Sequence, residues 1–356
     1  MIKKNFKIGL GLGFGGANAK NFNYNKKHKR IIENFISIGG SFVDTAAIYG
    51  KGTSENIIGS LPENLKKKLF ISTKISPENL NYNLFLNSVK QSLQRLKVKK
   101  IYLIQPHWPN YKINNIEIIK AYLKLKSDNL VEKFGLSNYE IDDIKYFKKK
   151  LKSDFCYIQE RFSLGDFELL KKKINFCKKN NIKIICYSPL KSGNIHFDLK
   201  QKRILNKLQK KYNTNRSSLI LAYILSKSEI CIPIPYTIKK KHLNSNYNST
   251  NLKISKKDIS ILDNNFKTKF IKLKLKEVDF LDKNSKQIRS LDDAKKIKYP
   301  SPTPMELCKR LKNGYKIKDI ILKKYKNKYQ IQEGRIRFWA NVLFFGWNRK
   351  IKFILN

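Results

Sequence analysis

Four residues of the chain could together move a proton: Asp44, Tyr49, Lys74 and His107. A phenol with its ordinary pKa near 10 is a poor acid at neutral pH and needs neighbours that tune it. An ammonium beside it stabilises phenolate and lowers its pKa, while a carboxylate pairs with the ammonium and fixes its place. An imidazole can orient a substrate carbonyl oxygen or join the proton relay. Such a group could protonate an alkoxide that forms as hydride arrives from a nicotinamide. Asp44 and Tyr49 come from one segment, Phe42-Val-Asp-Thr-Ala-Ala-Ile-Tyr-Gly-Lys-Gly-Thr-Ser-Glu55. It reads as a short apolar strand whose end carries the acid and the phenol. Gly50 and Gly52 then turn the chain, and Ser54 stands as the N-cap of a helix opening Glu55-Asn-Ile-Ile-Gly59.

The elements that must position these residues alternate between short apolar runs and longer amphipathic ones. Strands are expected at Ile8–Leu12, Ser41–Thr45, Leu69–Lys74, Ile101–Gln105, Val131–Leu136, Phe155–Gln159, Ile182–Tyr187 and Glu229–Ile234. Helical patterns fall at Leu84–Leu96, Ile116–Lys126, Ile141–Leu151 and Leu169–Lys179, with a terminal helix near Lys256–Asn264. Strand–helix alternation argues for parallel βα units, and eight strands close a (β/α)₈ barrel of about 250 residues. Active sites of such barrels form at the C-terminal strand ends. Those ends carry Asp44 and Tyr49, Lys74, His107, Ser137-Asn138, Gln159, Tyr187-Ser188-Pro189 and Tyr236-Thr237. Gly11-x-Gly13-x-x-Gly16 matches the dinucleotide fingerprint, but the first acid on the next strand is Asp44, which is better placed in the proton-donating group.

Singly, each residue has a plainer reading: Asp44 as a strand-end cap, Lys74 as one of 65 lysines, Tyr49 and His107 as packed rings. In conjunction they resemble the aldo-keto reductase family over about residues 6–265. The matching passages are Phe42–Glu55, Ser72-Thr-Lys74, Leu103-Ile-Gln-Pro-His-Trp-Pro109, Gly135-Leu-Ser-Asn138, Ile158-Gln159, Tyr187-Ser-Pro-Leu190 and Ile234-Pro235 to Asn246, in family order. The resemblance implies an NAD(P)H-dependent reductase of an aldehyde, ketone or sugar carbonyl, with Asp44, Tyr49, Lys74 and His107 as catalytic tetrad and Tyr49 as proton donor. It implies that Ser137, Asn138 and Gln159 hold the nicotinamide carboxamide and that Tyr187 stacks on the ring, with Ser188 and Leu190 also facing the cofactor. Thr237, His242 and Asn246 fall on positions for the adenosine-phosphate end. His242 replaces the arginine many members place on the 2′-phosphate, and Lys239, Lys240 and Lys241 beside it could supply that charge, so NADP(H) is favoured over NAD(H). Two further departures are Glu160-Arg-Phe-Ser-Leu164, where Arg161 could face an anionic substrate or pair with Glu160, and Pro106, which interrupts the strand before His107.

The formal charge of +48 suggests nucleic acid, yet only ten of 75 basic residues are arginine. Abundant Lys, Asn, Ile, Phe and Tyr share A/T-rich codons, and the lysines are scattered over helix faces. A solvated basic surface is the reading preferred over a polyanion contact. Cys156, Cys177, Cys186, Cys231 and Cys308 include no CxxC pair, which points to reduced, buried thiols rather than disulfides or a metal site. No signal-peptide pattern and no spanning apolar stretch are apparent, so a cytoplasmic protein is expected.

Residues 268–356 read as a separate small α+β domain. A strand is expected near Ile271–Phe280, a helix from Pro300-Ser-Pro-Thr-Pro304 through Leu311, strands at Ile317–Lys323 and Lys328–Gln332, a helix at Arg335–Phe345 and a strand at Lys350–Leu355. Tyr329-Gln-Ile-Gln-Glu-Gly-Arg-Ile-Arg-Phe-Trp-Ala340 resembles the Gly-x-x-Arg motif of the ParB/sulfiredoxin-like fold. That resemblance implies a phosphate or nucleotide site at Gly334, Arg335 and Arg337, although Ile336 stands where many members carry a histidine or arginine. Alongside the reductase reading stands a nucleotide-sensing regulatory protein with the barrel as redox reader, and more remotely a DNA-binding protein. The fused domain hints at phosphorylated or nucleotide-linked sugars as substrates.

Overall fold

The computed structural model describes residues 6–13, 22–191, 197–280, 288–297, 302–325 and 327–355. Gly16 of the glycine run and Pro300 and Ser301 of the proline run lie outside the described residues. The chain divides into two compact units, one of Met1–Trp108 with Asn115–Lys267 and one of Pro109–Asn114 with Thr268–Asn356.

In the first unit, eight parallel strands follow one another in chain order: β1 (Leu10–Gly11), β2 (Phe42–Asp44), β3 (Phe70–Ile75), β4 (Ile101–Pro106), β5 (Val131–Ser137), β6 (Phe155–Arg161), β7 (Lys183–Tyr187) and β8 (Cys231–Pro233). The N–H groups of Gly9 and Gly11 donate to the carbonyls of Pro233 and Pro235, which closes the sheet into a barrel. Phe42, Tyr102, Leu103, Tyr157, Ile185 and Ile232 fill its interior, with Phe6 and Phe70 packed against them. Each such side chain removed from water is worth roughly 1.5–3 kcal/mol, enough to hold short strands in register.

The helices expected from apolar periodicity are present as Tyr82–Leu96, Asn115–Ser127, Ile141–Leu151, Phe167–Lys179 and Lys256–Asn265. Asn81 accepts from the Leu84 N–H and Ser255 from the Asp258 N–H, so two of them begin on side-chain caps. Helices at Phe22–Ser37, Leu199–Lys211, Arg216–Lys227 and Lys240–Asn248 complete the alternation. Pro106 ends β4 instead of breaking it: it stands opposite Ile75, and the next N–H, that of His107, donates to the Ile75 carbonyl at 2.9 Å. A proline lacks only its own donor, and the ladder resumes one residue later.

The second unit is a five-stranded mixed sheet in the order β10-β12-β11-β13-β9, from β9 (Lys269–Lys274), β10 (Val278–Asp279), β11 (Ile320–Tyr325), β12 (Lys328–Glu333) and β13 (Lys350–Leu355). Helices Leu291–Lys296, Pro304–Lys312 and Arg335–Phe345 belong to it. The single strand expected near Ile271–Phe280 is two strands, because Leu275 drops into the core and a 3₁₀ turn at Leu275–Glu277 parts them. Leu322, Phe338, Trp339 and Phe353 are fully buried beside Leu275. Pro109–Asn114 is folded into this unit: the Arg310 guanidinium lies 3.9 Å from the Tyr111 ring centroid and 4.5 Å from that of Tyr315. Lys112 also pairs with Glu306 at 3.3 Å.

Candidate active site

Strand register brings the polar residues of the barrel interior together. Asp44 stands opposite Ser72, Lys74 opposite Gln105, and Ser137 opposite Gln159. Lys74 Nζ donates to Asp44 Oδ2 at 2.6 Å and to the Thr45 carbonyl at 2.7 Å, with both members of the pair almost fully buried. Ser72 Oγ donates to Asp44 Oδ1 at 2.9 Å, and Gln159 Nε2 donates to Asp44 Oδ2 at 3.1 Å. The carboxylate therefore accepts from three side chains, as a buried anion must to remain charged.

Tyr49 reaches this group from the loop that leaves β2. Its ring centroid lies 5.3 Å from Lys74 Nζ and 5.5 Å from the His107 ring, which it meets edge-on. The loop needs left-handed backbone at Gly50, Lys51 and Gly52. At Gly52, φ near +91° favours glycine, and a Cβ 2.6 Å from Arg95 Cδ would also oblige that side chain to shift. Ser54 is not the expected helix cap. Gly52 holds that position, and Ser54 is buried, donating to the Leu12 carbonyl at 2.9 Å. Glu55 is likewise internal, accepting from Thr73 Oγ1 and from Arg95 Nε at 2.6 Å each. The pair braces the Tyr49 loop against β1, β3 and helix Tyr82–Leu96.

Burial is the largest influence on Tyr49 and raises its pKa; the Lys74 charge lowers it, Asp44 raises it, and the balance is upward. Lysine tuning alone would predict a fall, so here desolvation overrides the expectation. The phenol is held protonated, as an acid must be before it donates. Burial also opposes the charge on Lys74, but Asp44 and Tyr49 outweigh it and hold Lys74 above its ordinary value. For His107, burial and then the Lys74 charge push the imidazole down to about 3, so it is neutral across the working pH range. Its Nδ1 has no hydrogen-bond partner among the described residues.

A stability prediction follows for His107. Its folded pKa lies below the ordinary 6.5, so between about pH 6.5 and 3 the unfolded chain binds a proton that the folded chain refuses. Stability contributed by the neutral ring is complete above pH 6.5 and declines below it, by at most about 1.4 kcal/mol per pH unit. Melting temperatures of the wild type and His107→Gln, compared at pH 7 and pH 4.5, should show a smaller acid-side loss in the variant. Equal losses would remove His107 from that account.

The rim carries the other expected residues. Tyr187 Oη donates to Asn138 Oδ1 at 2.9 Å, and Asn138 Nδ2 donates to Ser137 Oγ at 3.1 Å and to the His107 carbonyl at 3.3 Å. Ser137 and Gln159 are buried, Ser188 is exposed, and Leu190 is half-buried. Asn138 and Ser188 both take left-handed backbone, which asparagine tolerates well. Thr237 is buried, with its Oγ1 accepting from the Lys239 N–H at 3.1 Å. His242 is exposed in the first turn of helix Lys240–Asn248, and Asn246 is buried on the same helix, its Oδ1 without a partner among the described residues.

Elsewhere the expectations need amendment. Glu160 pairs with Lys173 at 2.6 Å, and Arg161 lies 3.9 Å from Asp166. In the second unit, Gly334 is left-handed and caps helix Arg335–Phe345, and Arg337 makes contacts within the fold. Its guanidinium donates to the Asp319 carbonyl at 2.7 Å and to Glu333 Oε1 at 3.1 Å. The site residue that sequence reasoning passed over is Gln105, fully buried between Ser72 and Gln159. Its signal was a lone amide inside the apolar run Ile101-Tyr-Leu-Ile. Among the described residues there is no cluster suited to a metal ion, and no helix is long and apolar enough to cross a membrane.

Comparison with known proteins agrees with this geometry. The model of the aldo/keto reductase family matches residues 7–265. Methylglyoxal reductase DkgB of Escherichia coli O157:H7 is 27% identical over 237 residues, covering 65% of this chain and 86% of that protein. The thermostable aldo-keto reductase Tm1743, solved with the inhibitor epalrestat, superposes with a TM-score of 0.67 at 27% identity, covering 72% of this chain and 94% of the other. An aldo-keto reductase from Klebsiella pneumoniae in complex with NADPH shares the fold, with a TM-score of 0.67 at 19% identity over 73% of this chain and 90% of its own.

Proposed function

The chain belongs to the aldo/keto reductase family, and from that premise we propose that it reduces a small α-oxoaldehyde with NADPH, Tyr49 giving the proton. The observation that carries this reading is the convergence of Tyr49, Lys74, Asp44 and His107 at the C-terminal strand ends. Similarity to a methylglyoxal reductase favours the α-oxoaldehyde class over sugars.

NADPH supplies the hydride when bound. The chain's own residues then handle the oxygen. Neutral His107 offers an N–H to the carbonyl oxygen and orients it toward Tyr49. As negative charge grows on that oxygen, the Tyr49 proton passes to it, and the Lys74 ammonium stabilises the phenolate left behind. Asp44 holds Lys74 in place and keeps it charged. Tyr49 recovers its proton from solvent or through Lys74 once the alcohol leaves.

The residues present fit NADPH. The unpartnered Asn246 Oδ1 is an acceptor suited to an adenine N–H. The first turn of helix Lys240–Asn248 presents free N–H groups beside Lys239, Lys240, Lys241 and His242, a setting for a 2′-phosphate. Ser137, Asn138 and Gln159 would hold the carboxamide, Tyr187 would face the ring, and Ser188, Leu190 and Thr237 would line the length between. No function is proposed for the second unit.

Consumption of NADPH and NADH, followed by absorbance over α-oxoaldehydes, simple aldehydes, ketones and sugars, tests the proposal. Highest kcat/KM is expected for NADPH with an α-oxoaldehyde, by about tenfold or more over a free sugar, since one well-placed contact is worth that factor. No turnover of any carbonyl with either cofactor would sink it.

A further inference from the structure

Asp44 is held by a closed ring of side-chain hydrogen bonds whose fourth corner, Gln105, has no role in the chemistry just described. Gln105 Nε2 lies 3.0 Å from Ser72 Oγ and 3.0 Å from Gln159 Oε1. Ser72 and Gln159 in turn reach the two oxygens of Asp44 at 2.9 and 3.1 Å. All four residues are at most 2% exposed.

Donor counting fixes every proton in this ring. An ionised carboxylate only accepts. Ser72 has one proton and spends it on Asp44, so its oxygen must accept from Gln105. Gln159 turns its amide nitrogen to Asp44, so its oxygen also accepts from Gln105. The two protons of the Gln105 amide match those two acceptors. A flipped Gln105 would aim its carbonyl at both oxygens, and a flipped Gln159 would aim one at Asp44.

This orientation has a cost that shows it is enforced. Gln105 Oε1 is buried with no hydrogen-bond partner among the described residues. It faces Gly135, where an added Cβ would come within 3.2 Å of it and 2.7 Å of the Tyr157 carbonyl. An orphaned buried carbonyl is tolerated because two donors must point the other way.

We propose that Gln105 is a positioning residue that polarises the ring toward Asp44 and fixes the amide orientation of Gln159. Through Asp44 it sets Lys74 beneath Tyr49, and through Gln159 it decides which amide atom faces the nicotinamide carboxamide. The catalytic part of this inference rests on the reductase reading; the hydrogen-bond part does not.

The test is a double-mutant cycle. Gln105→Met keeps the shape but removes both donors, and Ser72→Ala removes one path from Gln105 to Asp44. Melting temperatures without cofactor and kcat are measured for both singles and the double. Gln105→Met should lower kcat roughly tenfold and the melting temperature by roughly 2–6 °C, and both losses should shrink when Ser72 is already alanine. A packing role predicts equal losses in either background. Gln105→Glu is measured in parallel, since a carboxyl of the same size supplies at most one of the two protons. Wild-type kcat in Gln105→Glu overturns the positioning role even if Gln105→Met does not fold. If the wild type reduces no carbonyl while the melting temperatures still couple, the reductase reading fails and the ring stands. If the wild type is active and the losses are independent, the inference about Gln105 fails alone.

Discussion

Tyr49→Phe is expected to lower kcat for carbonyl reduction by at least about a hundredfold, the lower range for a positioned general acid. Affinity for NADPH, read from the quenching of protein fluorescence, should change by less than about twofold in the same variant. The contrast follows from where the hydroxyl stands. Removing one oxygen deletes the proton without touching the ring packing against His107 or the rim residues assigned to the cofactor. The upward shift of the phenol adds a pH signature. Reduction needs the protonated form, so wild-type turnover should persist through neutral pH and fall only on the alkaline side. Unchanged kcat in Tyr49→Phe would remove Tyr49 as donor.

The second large effect is expected at Lys74, and it separates stability from chemistry. Lys74→Met leaves Asp44 a buried carboxylate without its cation, a loss typically of about 3–5 kcal/mol. The folded chain should melt many degrees lower, and turnover should vanish because no charge stabilises the phenolate. Pairing it with Asp44→Leu removes the stranded charge as well. The double variant should regain most of the lost melting temperature, since a buried ion pair is often matched by apolar residues of similar volume. Turnover should not return. A double variant no more stable than Lys74→Met would mean that Ser72 and Gln159, left facing a leucine, carry more of the energy than the ion pair does.

Much of this architecture is legible in the residues, for reasons that can be named. Helix Arg335–Phe345 is bracketed by glycines on both sides, and β13 by a charged start and a hydrophobic alternation, so both are found at their expected bounds. The proximity of Asp44, Tyr49, Lys74 and His107 is legible because they sit at or just beyond strand ends in a fixed order. Helix Phe22–Ser37 was hidden by asparagine and lysine, which blur the apolar stripe that announces a helix. Ser54 looked like a cap because it has a cap's chemistry and position; its actual acceptor, the Leu12 carbonyl, is 42 residues away. The rise in the Tyr49 pKa could not be read either, since charge is written in the sequence and desolvation is not. Gln105 was passed over because its meaning depends on side chains from three other strands.

Pro109–Asn114 has a consequence for how the protein comes into being. These residues leave the ribosome long before the rest of the second unit, yet Tyr111 finishes against Arg310, about two hundred residues later in the chain. The second unit is therefore assembled from two stretches of chain that are far apart in sequence. A fragment beginning at residue 268 would lack Pro109–Asn114, and with it the Tyr111 ring that packs against Arg310. What looks like a tail in linear order is a unit that also needs a segment from the middle of the chain.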